Sequence, residues 1–350
     1  MANPTIAAGY PRAFLDFAVS RGADRRTLLA RSHIRPEDLD DQDKRVPLAN
    51  YLDLLKAGIE LCDEPALALL FGEAVTLPDI SIVGLMGQSV ESVEEGRRLN
   101  RYARLALDED DGGTSEPLEI IREGDKVWLK ATSAAYVANP LLTESAFART
   151  VCGVRAFVTS RGFTSWPYPK AIHFTHDEPS YRAEYDRIFG VPLFFGSHMN
   201  ALLMDEAFLS IQLQPTNRYL SGLLSERAEA LLKSLEDSKT IRGRVESLLI
   251  PVLHTGGASM DAVARKLALS RQTLFRRLKA EGTTFEQVLD ELRHKLALHY
   301  LSGKKVSVNE TAYLLGYSDY AAFSRAFKRW TGYSPRAAAS AKHGERGGNQ

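Results

Sequence analysis

The sequence predicts a mixed fold: an N-terminal α+β domain followed by an all-α domain of two helix-turn-helix units joined by a connecting helix. Three observations lead to this prediction. The chain has 350 residues, and a single hydrophobic core stops growing at about 250–300 residues. Residues 1–254 carry 28 Lys and Arg against 36 Asp and Glu, whereas residues 255–342 carry 15 against 7. The basic segment also contains an internal repeat.

Composition and cysteine usage exclude several classes of protein. Hydrophobic residues make up 44% and charged residues 25% of the chain, as in ordinary globular proteins. The N-terminus has no basic segment leading into an apolar one, so no signal peptide is expected. No apolar run approaches the roughly 18–20 residues that cross a bilayer, so no membrane partner is expected. Cys62 and Cys152 are isolated, which fits a reducing cytoplasm and argues against a disulfide or a cysteine-based metal site.

The first hundred residues predict helices. One begins after Pro47, with Leu48, Tyr51, Leu52, Leu55 and Ile59 at helical spacing, and a second begins at Pro65. A third is expected from Ser92 to Leu107. Its predicted inward residues are Val93, Leu99, Tyr102 and Leu105, and its predicted outward residues are Arg97, Arg98, Arg101 and Arg104.

The next segment mixes strands and helices. Two β-rich runs flank Gly124-Asp125, which predicts a hairpin. A helix is expected over residues 141–161, a strand over 171–175, and a short helix that ends at Gly190. The apolar run "VPLFFGSHMNALLMD" that follows is strand-like.

Leucines at helical spacing then predict a helix from Arg218 to Asp237. It links the domains, forms a dimer contact or packs on the first domain. The expected organisation is therefore an effector-binding or dimerisation domain at 1–217, a linker helix at 218–238, the double helix-turn-helix at 239–342, and a disordered tail at 343–350.

The repeat pairs "MDAVARKLALSRQTLFRRLKAEG" with "VNETAYLLGYSDYAAFSRAFKRWTG". In each copy a short helix with an inward alanine (Ala264 or Ala312) is followed by a turn. In the second copy Gly316 supplies the positive φ that the turn favours. Ser270 and Ser318 are expected to cap the second helix of each copy. A connecting helix is predicted between the copies, with Phe285, Leu289, Leu292, Leu296 and Tyr300 on one side.

Each second helix has one buried and one exposed face. The buried residues are Leu274 and Leu278, or Phe323 and Phe327. The predicted exposed set comprises Arg271, Gln272, Phe275, Arg276 and Lys279 in the first copy and Asp319, Tyr320, Ala321, Ser324, Arg325 and Lys328 in the second. Such side chains read base edges and phosphates in a major groove. A net charge of +8 over residues 255–342 fits a polyanionic partner, while a merely solvated helix face is the rival interpretation.

The basic segment resembles the C-terminal domain of the AraC/XylS transcriptional regulators over roughly residues 240–339. The family pattern places an alanine before Gly-aromatic, then Phe-x-Arg-x-Phe-Lys, then Gly-x-Ser-Pro. It is matched by Ala312, Gly316, Tyr317, Phe323, Arg325, Phe327, Lys328, Gly332, Ser334 and Pro335. The stretches "ALALLFGEAV", "RRLNRYARL" and "HFTHDEPSYRAEYDRIFGVPLFF" resemble the arabinose-binding-like domain of the VirS/OruR branch of that family.

The resemblance implies which residues of the exposed set meet bases, and positive charge predicts which residues contact phosphates. Bases would meet Gln272, Phe275 and Arg276 in the first helix and Tyr320, Ala321, Ser324 and Arg325 in the second. Lys279, Lys328 and Arg329 would contact phosphates. Two positions depart from the family pattern. Thr311 stands where an aliphatic residue is usual, and Arg-Ala-Ala-Ala follows Pro335 where an aromatic and an Arg are common.

The resemblance also sets the expected partners. They are double-stranded promoter DNA, a small-molecule effector of unknown identity, a second copy of the chain and RNA polymerase. No catalytic residue, cofactor or metal site is expected. Aromatic residues considered for the effector pocket wall, with core packing as their more ordinary role, are Trp128, Trp166, Tyr168 and His173.

Two other functions are alternatives to regulation. An enzyme fused to a DNA-binding tail has little support, because His173 and His176 point to opposite faces of a strand and so do not share a metal. The acidic segment at 108–119 has a glycine at a calcium-ligand position and precedes a hairpin. Phosphate-binding, dinucleotide and nucleophile-elbow motifs are missing from the sequence. A non-specific architectural protein would select no DNA site, whereas two recognition helices predict one.

Overall fold

The computed structural model describes residues 4–90, 92–109, 118–124, 126–160, 162, 168–209, 218–302 and 306–340. The chain divides into two compact units, Met1–Lys233 and Ser234–Gln350, and the division falls inside one helix. The first unit mixes helices with two sheets, and the second is helical wherever it has regular structure. The predicted fold class is therefore confirmed. The tail at 343–350 lies outside the described residues, and within the described ones no helix combines the length and apolarity needed to span a bilayer.

The first unit alternates short strands with helices. Its strands are β1 (Thr5–Ala7), β2 (Arg45–Pro47), β3 (Leu107–Asp108), β4 (Leu118–Glu123), β5 (Lys126–Ala131), β6 (Ala171–His173), β7 (Leu193–Phe194) and β8 (Ala201–Met204). Its helices are α1 (Gly9–Ser20), α2 (Arg25–Ser32), α3 (Leu48–Cys62), α4 (Leu67–Ala74), α5 (Leu77–Ile80), α6 (Ile82–Gly87), α7 (Val93–Arg98), α8 (Ala103–Ala106), α9 (Ala134–Ala138), α10 (Pro140–Ser160), α11 (Arg182–Phe189) and α12 (Glu206–Leu209). Helix α13 (Arg218–Lys239) leads into the second unit.

The strands form two sheets. In the three-stranded sheet, β1 lies between β2 and β3 and is antiparallel to both. The five-stranded sheet has the order β4-β5-β8-β6-β7, and its pairs are antiparallel except for parallel β6 and β7. The predicted hairpin is formed by β4 and β5, with Gly124 in a left-handed conformation and Asp125 outside the described residues.

Helix α10 is the central element of the first unit. It packs closely on α4 at Gly72, where a Cβ atom would lie 2.4 Å from the carbonyl oxygen of Ser145. Arg155, nearer its C-terminus, donates to the backbone carbonyls of Tyr168 and Ile188 at 2.8 and 3.0 Å, and also to that of Phe189. This helix therefore joins α4 to the chain just before β6 and to the end of α11.

The single helix predicted from Ser92 to Leu107 is wrong. The chain forms α7, a 3-10 turn at Leu99–Tyr102 and α8, and it then enters β3. Leu107 is paired with Ile6 of β1, and that pairing requires an extended backbone. Arg104, predicted to point outward, is mostly buried and pairs with Asp108.

The second unit begins at the end of α13 and contains only helices among its described residues. They are α14 (Ile241–Leu249), a 3-10 turn (Ile250–Thr255), α15 (Met260–Lys266), α16 (Arg271–Ala280), α17 (Phe285–Ser302), α18 (Val308–Leu314), α19 (Tyr320–Thr331) and α20 (Pro335–Ser340). One core contains Val263, Leu274 and Leu278, and a second contains Ala312, Phe323 and Phe327. The repeat therefore folds as two successive helix-turn-helix units.

Candidate nucleic-acid interface

The two helix-turn-helix units present their second helices through similar caps. Ser270 precedes α16, and its hydroxyl oxygen accepts a hydrogen bond from the amide of Thr273 at 3.1 Å. Before α19 the cap is Asp319, whose carboxylate accepts from the amide of Ala322 at 2.7 Å. The prediction of Ser318 as the cap is wrong. The turn before α19 is one residue longer than the turn before α16, so the position equivalent to Ser270 moves to Asp319.

The turns share one unusual backbone conformation. Gly316 has φ of 75°. Ala268, at the same place in the first helix-turn-helix, has φ of 53°. In each turn three backbone amides bond back to the preceding helix, Leu269 to Ala264 and Tyr317 to Ala312 among them. These bonds satisfy the last carbonyl groups of α15 and α18. A Cβ atom on Gly316 would lie 2.1 Å from the carbonyl oxygen of Leu253.

The predicted reading residues fall on equivalent faces of α16 and α19. Buried Leu274 and Phe323 occupy the same position in their helices, which aligns Arg276 with Arg325. The aligned pairs are Gln272 with Ala321, Phe275 with Ser324, Arg276 with Arg325, and Lys279 with Lys328. Their spacing of three, four and seven residues puts each set on one side of a helix.

Exposure along these faces is high. Gln272, Arg276 and Lys279 are exposed on α16, as are Ala321, Arg325 and Lys328 on α19. Phe275 is 50% exposed, so its apolar ring is accessible on this face. Ser324 and Tyr320 are half-buried. The Tyr320 ring lies beneath the guanidinium of Arg336, at 5.6 Å from the ring centroid.

Three predicted residues use their side chains in hydrogen bonds within the protein. Arg271 donates to Asp261 at 2.9 Å. Arg329 donates to Asp290 at 2.8 Å, and the indole of Trp330 donates to the same carboxylate. Asp319 is exposed but serves as the cap, and the amide of Ala322 is the main cause of its lowered pKa.

The arginines and lysines at the centre of the two faces differ from these. Arg276, Lys279 and Lys328 make no salt bridge with any other residue of the described chain, and Arg325 makes only a long-range interaction with Asp319. No salt bridge within the described residues therefore neutralises the charges of these four side chains.

Helix α17 connects the two helix-turn-helix units by packing into the core of each. Val288 and Leu292 belong to the first core, Ala297 and Leu301 belong to the second, and Leu296 touches both. The shared packing joins α16 and α19 through one helix.

Polar contacts reinforce this connection. Arg293 of α17 donates to the carbonyl oxygen of Leu315 at 3.0 Å, and its guanidinium lies over the Tyr317 ring at 4.8 Å. Thr311, which departs from the family pattern, is fully buried and donates to the carbonyl oxygen of Ser307 at 2.9 Å. The buried hydroxyl is therefore hydrogen-bonded, and the substitution leaves no unsatisfied group.

The aromatic residues considered for an effector pocket lie in the core of the first unit. Trp128 is buried beside Met199 and Ala201, Tyr168 stacks on Phe208 at 4.6 Å, and His173 stacks on Phe194. Trp166 lies outside the described residues. His173 bonds to Ser197, whereas His176 bonds to the backbone of Asp177, so the two rings have separate surroundings.

Comparison with known proteins covers both units. Residues 22–213 match the arabinose-binding domain of AraC transcription regulators, and residues 263–340 match a helix-turn-helix domain. The chain is 28% identical over 340 residues to the ornithine utilization regulator of Pseudomonas aeruginosa, covering 94% of this chain and 95% of that protein. It is also 28% identical over 167 residues to the transcriptional regulator VirS of Mycobacterium tuberculosis, covering 48% of each.

A solved structure, that of the transcriptional regulator CdpR from Pseudomonas aeruginosa, is 24% identical and covers 90% of this chain and 96% of that one, with a TM-score of 0.38. The arabinose-binding family matches more than half of the present sequence, and the helix-turn-helix match covers the repeat described above. The chain belongs to the AraC family of DNA-binding transcriptional regulators, with a ligand-binding domain at its N-terminus.

Proposed function

We propose that this regulator reads two successive major grooves on one face of its promoter DNA, using α16 and α19. The observation that carries the proposal is the pair of equivalent exposed faces on helices that share one connecting helix. Helix α17 has 18 residues, which makes it about 27 Å long at about 1.5 Å per residue. That length is of the same order as the roughly 34 Å between successive major grooves.

The four central cations have two proposed roles. Arg276 and Arg325 make bidentate contacts with guanine, each worth about 1–3 kcal/mol of discrimination against the wrong base. Lys279 and Lys328 contact phosphates and supply affinity without sequence information. Gln272 and Ala321 meet base edges beside them.

The other predicted contacts have more limited proposed roles. Phe275 offers an apolar surface that suits a thymine methyl group. Arg329 must share its charge between Asp290 and a phosphate, so its contribution is expected to be smaller than that of Lys328. Arg271 has the same competition with Asp261, and Tyr320 and Ser324 reach DNA only at the edge of their face.

The test is site selection from a random DNA pool at one fixed salt concentration of about 150 mM, because affinities depend steeply on salt. The full-length chain should select two patches separated by about one helical turn. Arg276→Ala should relax the choice of base at one position of one patch, and Arg325→Ala should do so in the other. Each loses about 1–3 kcal/mol of discrimination there.

Arg277→Ala is the matched control. Arg277 is the next residue on α16 and is exposed, but it aligns with buried Ala326 of α19 and so points away from the reading face. It should leave both patches unchanged. If Arg276→Ala weakens binding equally to every DNA sequence, Arg276 does not read a base. If the wild type selects no site from the pool, the proposal as a whole is wrong.

We further infer a regulatory cycle of the usual two-state kind. A small-molecule effector binds the N-terminal unit and shifts the protein between conformations with different DNA affinity. The chain acts as a homodimer in the cytoplasm and contacts RNA polymerase at the promoter. The relatives that it matches are named as transcriptional regulators, which supports regulation over catalysis.

A further inference from the structure

A small cavity lies in the first unit, lined by residues of β1, α1, α3, β3, α9 and α10. Its free volume is about 10 Å³, which is about the space of one water molecule. Most of the wall is apolar, and the polar groups that line it are Tyr10, Tyr51, Tyr136, Ser145 and Arg149. No Asp or Glu side chain lines it among the residues that the structure describes.

Arg149 is buried in this cavity without a counter-charge. The residue is 6% exposed. Its Nη1 atom lies 3.5 Å from the Ser145 hydroxyl, at the limit of a hydrogen bond, and its Nε atom has no hydrogen-bond partner. The guanidinium carbon sits 5.1 Å from the centroid of the Tyr10 ring. A guanidinium keeps its proton in proteins, so a buried positive charge remains uncompensated within the described residues.

Two other arginines of the same unit show how such a charge is normally satisfied. Arg155, on the same helix, donates to the three backbone carbonyls described above. Arg45 donates to the carbonyl oxygen of Thr5 at 2.6 Å and also to that of Leu105. Arg149 is the exception, and burying an unpaired charge is strongly unfavourable.

The tyrosines cannot provide the missing negative charge. Burial raises the pKa of Tyr136 to about 12 and that of Tyr51 still further. Both phenols are therefore neutral near pH 7. They can donate hydrogen bonds to an anion but cannot neutralise Arg149.

We propose that this cavity is the effector site and that its ligand is a monocarboxylate with an uncharged, largely apolar body. The planar guanidinium of Arg149 matches a carboxylate in a two-bond arrangement, and the tyrosine hydroxyls supply further donors. An amino acid fits less well, because no acidic group of the described wall would hold its ammonium group. The binding chemistry rests on Arg149 alone, whereas the regulatory consequence rests on the proposed function.

Ligand entry has to enlarge the cavity. A volume of about 10 Å³ does not hold even a small carboxylic acid, so wall side chains must move when it binds. Ile6 of β1 and Leu107 of β3 line the cavity, and these strands are adjacent in the three-stranded sheet. Binding is therefore expected to shift the population toward a form in which this sheet is displaced from α10.

The first experiment measures thermal unfolding and calorimetric binding of the full-length protein with acetate, hexanoate and benzoate. Each probe is paired with its neutral primary amide, and ornithine is added as an amino-acid probe. At least one of the larger carboxylates should raise the midpoint of unfolding and bind, while its amide and ornithine should bind at least about tenfold more weakly. Equal binding of an acid and its amide, or no shift with any carboxylate, would overturn the proposal.

Arg149→Met and Arg155→Met are the matched variants. Arg149→Met removes an unpaired charge and should raise the unfolding midpoint of the unliganded protein, while carboxylate affinity falls at least about tenfold. Arg155→Met leaves three carbonyls without donors and should lower that midpoint, with carboxylate affinity unchanged. An Arg149→Met protein that melts below wild type, or that fails to fold, would show that the charge is already compensated and would end the proposal.

DNA binding separates this proposal from the one on which it depends. Arg149→Met should select the same DNA site as wild type but lose the effect of the carboxylate on DNA affinity. If the wild type binds a carboxylate with no change in DNA affinity, the effector role fails while DNA recognition stands. If neither protein selects a site, the proposed DNA reading fails, and the carboxylate data still decide whether Arg149 binds an anion.

Discussion

At the scale of single residues, Glu144 shows how a buried carboxyl group is retained in this fold. It is fully buried on α10, and its Oε2 atom accepts hydrogen bonds from the hydroxyls of Tyr185 at 2.6 Å and Tyr181 at 3.0 Å. Its Oε1 atom has no partner. Burial raises the pKa of Glu144 from 4.5 to about 7, and the two tyrosine hydrogen bonds only partly oppose this.

The raised pKa makes stability depend on pH. The folded protein holds the Glu144 proton more tightly than the unfolded chain does. The stabilisation that results is fully present below about pH 4.5 and is lost as the pH rises toward 7. The loss amounts to about 3 kcal/mol in the free energy of unfolding. Glu144→Gln should remove this dependence, which urea denaturation of both proteins between pH 4.5 and 8 would measure.

Wild type and Glu144→Gln must be compared because His176 also makes stability depend on pH. Its Nε2 atom lies 3.4 Å from the Tyr185 hydroxyl, and burial lowers its pKa. It therefore opposes the Glu144 trend, adding stability as the pH rises, but it is present in both proteins. Parallel pH profiles for wild type and Glu144→Gln would show that Glu144 is ionised in the folded protein throughout this range.

Neither Glu144 nor Arg149 could be identified from the sequence. The sequence predicts the helix that carries them over residues 141–161, close to the observed Pro140–Ser160. Both sides of this helix are buried by α4, α9 and α11, so charged residues that would normally be assigned to solvent are enclosed. Long-range packing decides this, and a single sequence carries no local signal for it.

At the scale of elements, the two turns before the reading helices are built with different residues in one conformation. Gly316 has both the positive φ and the close backbone approach that demand glycine. Ala268 has the same positive φ, but its side chain is exposed. A left-handed conformation costs a non-glycine residue about 1–2 kcal/mol.

Opposite substitutions should therefore have opposite effects. Ala268→Gly should stabilise the second unit by roughly 0.5–1 kcal/mol, since relief of strain exceeds the added freedom of the unfolded chain. Gly316→Ala should destabilise it by more than about 2 kcal/mol, because strain adds to a backbone clash. Differential scanning calorimetry of the full-length proteins would measure both. A destabilising Ala268→Gly would mean that this turn is not strained.

Local elements of the second unit were largely predictable, and the errors have physical causes. The helical periodicity around Leu274, Leu278, Phe323 and Phe327 is a short-range signal, and the repeat doubles it. The pairing of Ser270 with Ser318 predicts Ser318 as the cap before α19, and that pairing alone does not show the one-residue insertion in the turn. In the first unit the broken helix before β3 depends on pairing with a strand about a hundred residues away.

At the scale of the whole molecule, charge separates the two functions. Residues 1–254 carry a net charge of −8 and residues 255–342 a net charge of +8. The acidic part is repelled by DNA and the basic part is attracted to it, so the polyanion meets the double helix-turn-helix first. The first unit is rich in carboxylates, yet none of the described residues around Arg149 in the cavity is an Asp or Glu.

The packing of α17 into the cores of both helix-turn-helix units leads to a prediction about DNA geometry. Inserting about 5 base pairs between the two selected patches turns one of them to the opposite face of the duplex, and affinity should fall at least about tenfold, toward that of a single patch. Inserting about 10 base pairs restores the face but adds about 34 Å. A connecting helix of 18 residues packed into both cores cannot extend to follow it, so affinity should not recover. Fluorescence anisotropy at fixed salt would measure this, with a spacer of altered sequence but original length as control. Recovery at 10 base pairs would show that the two units are flexibly tethered or that the two patches are read by different copies of the chain.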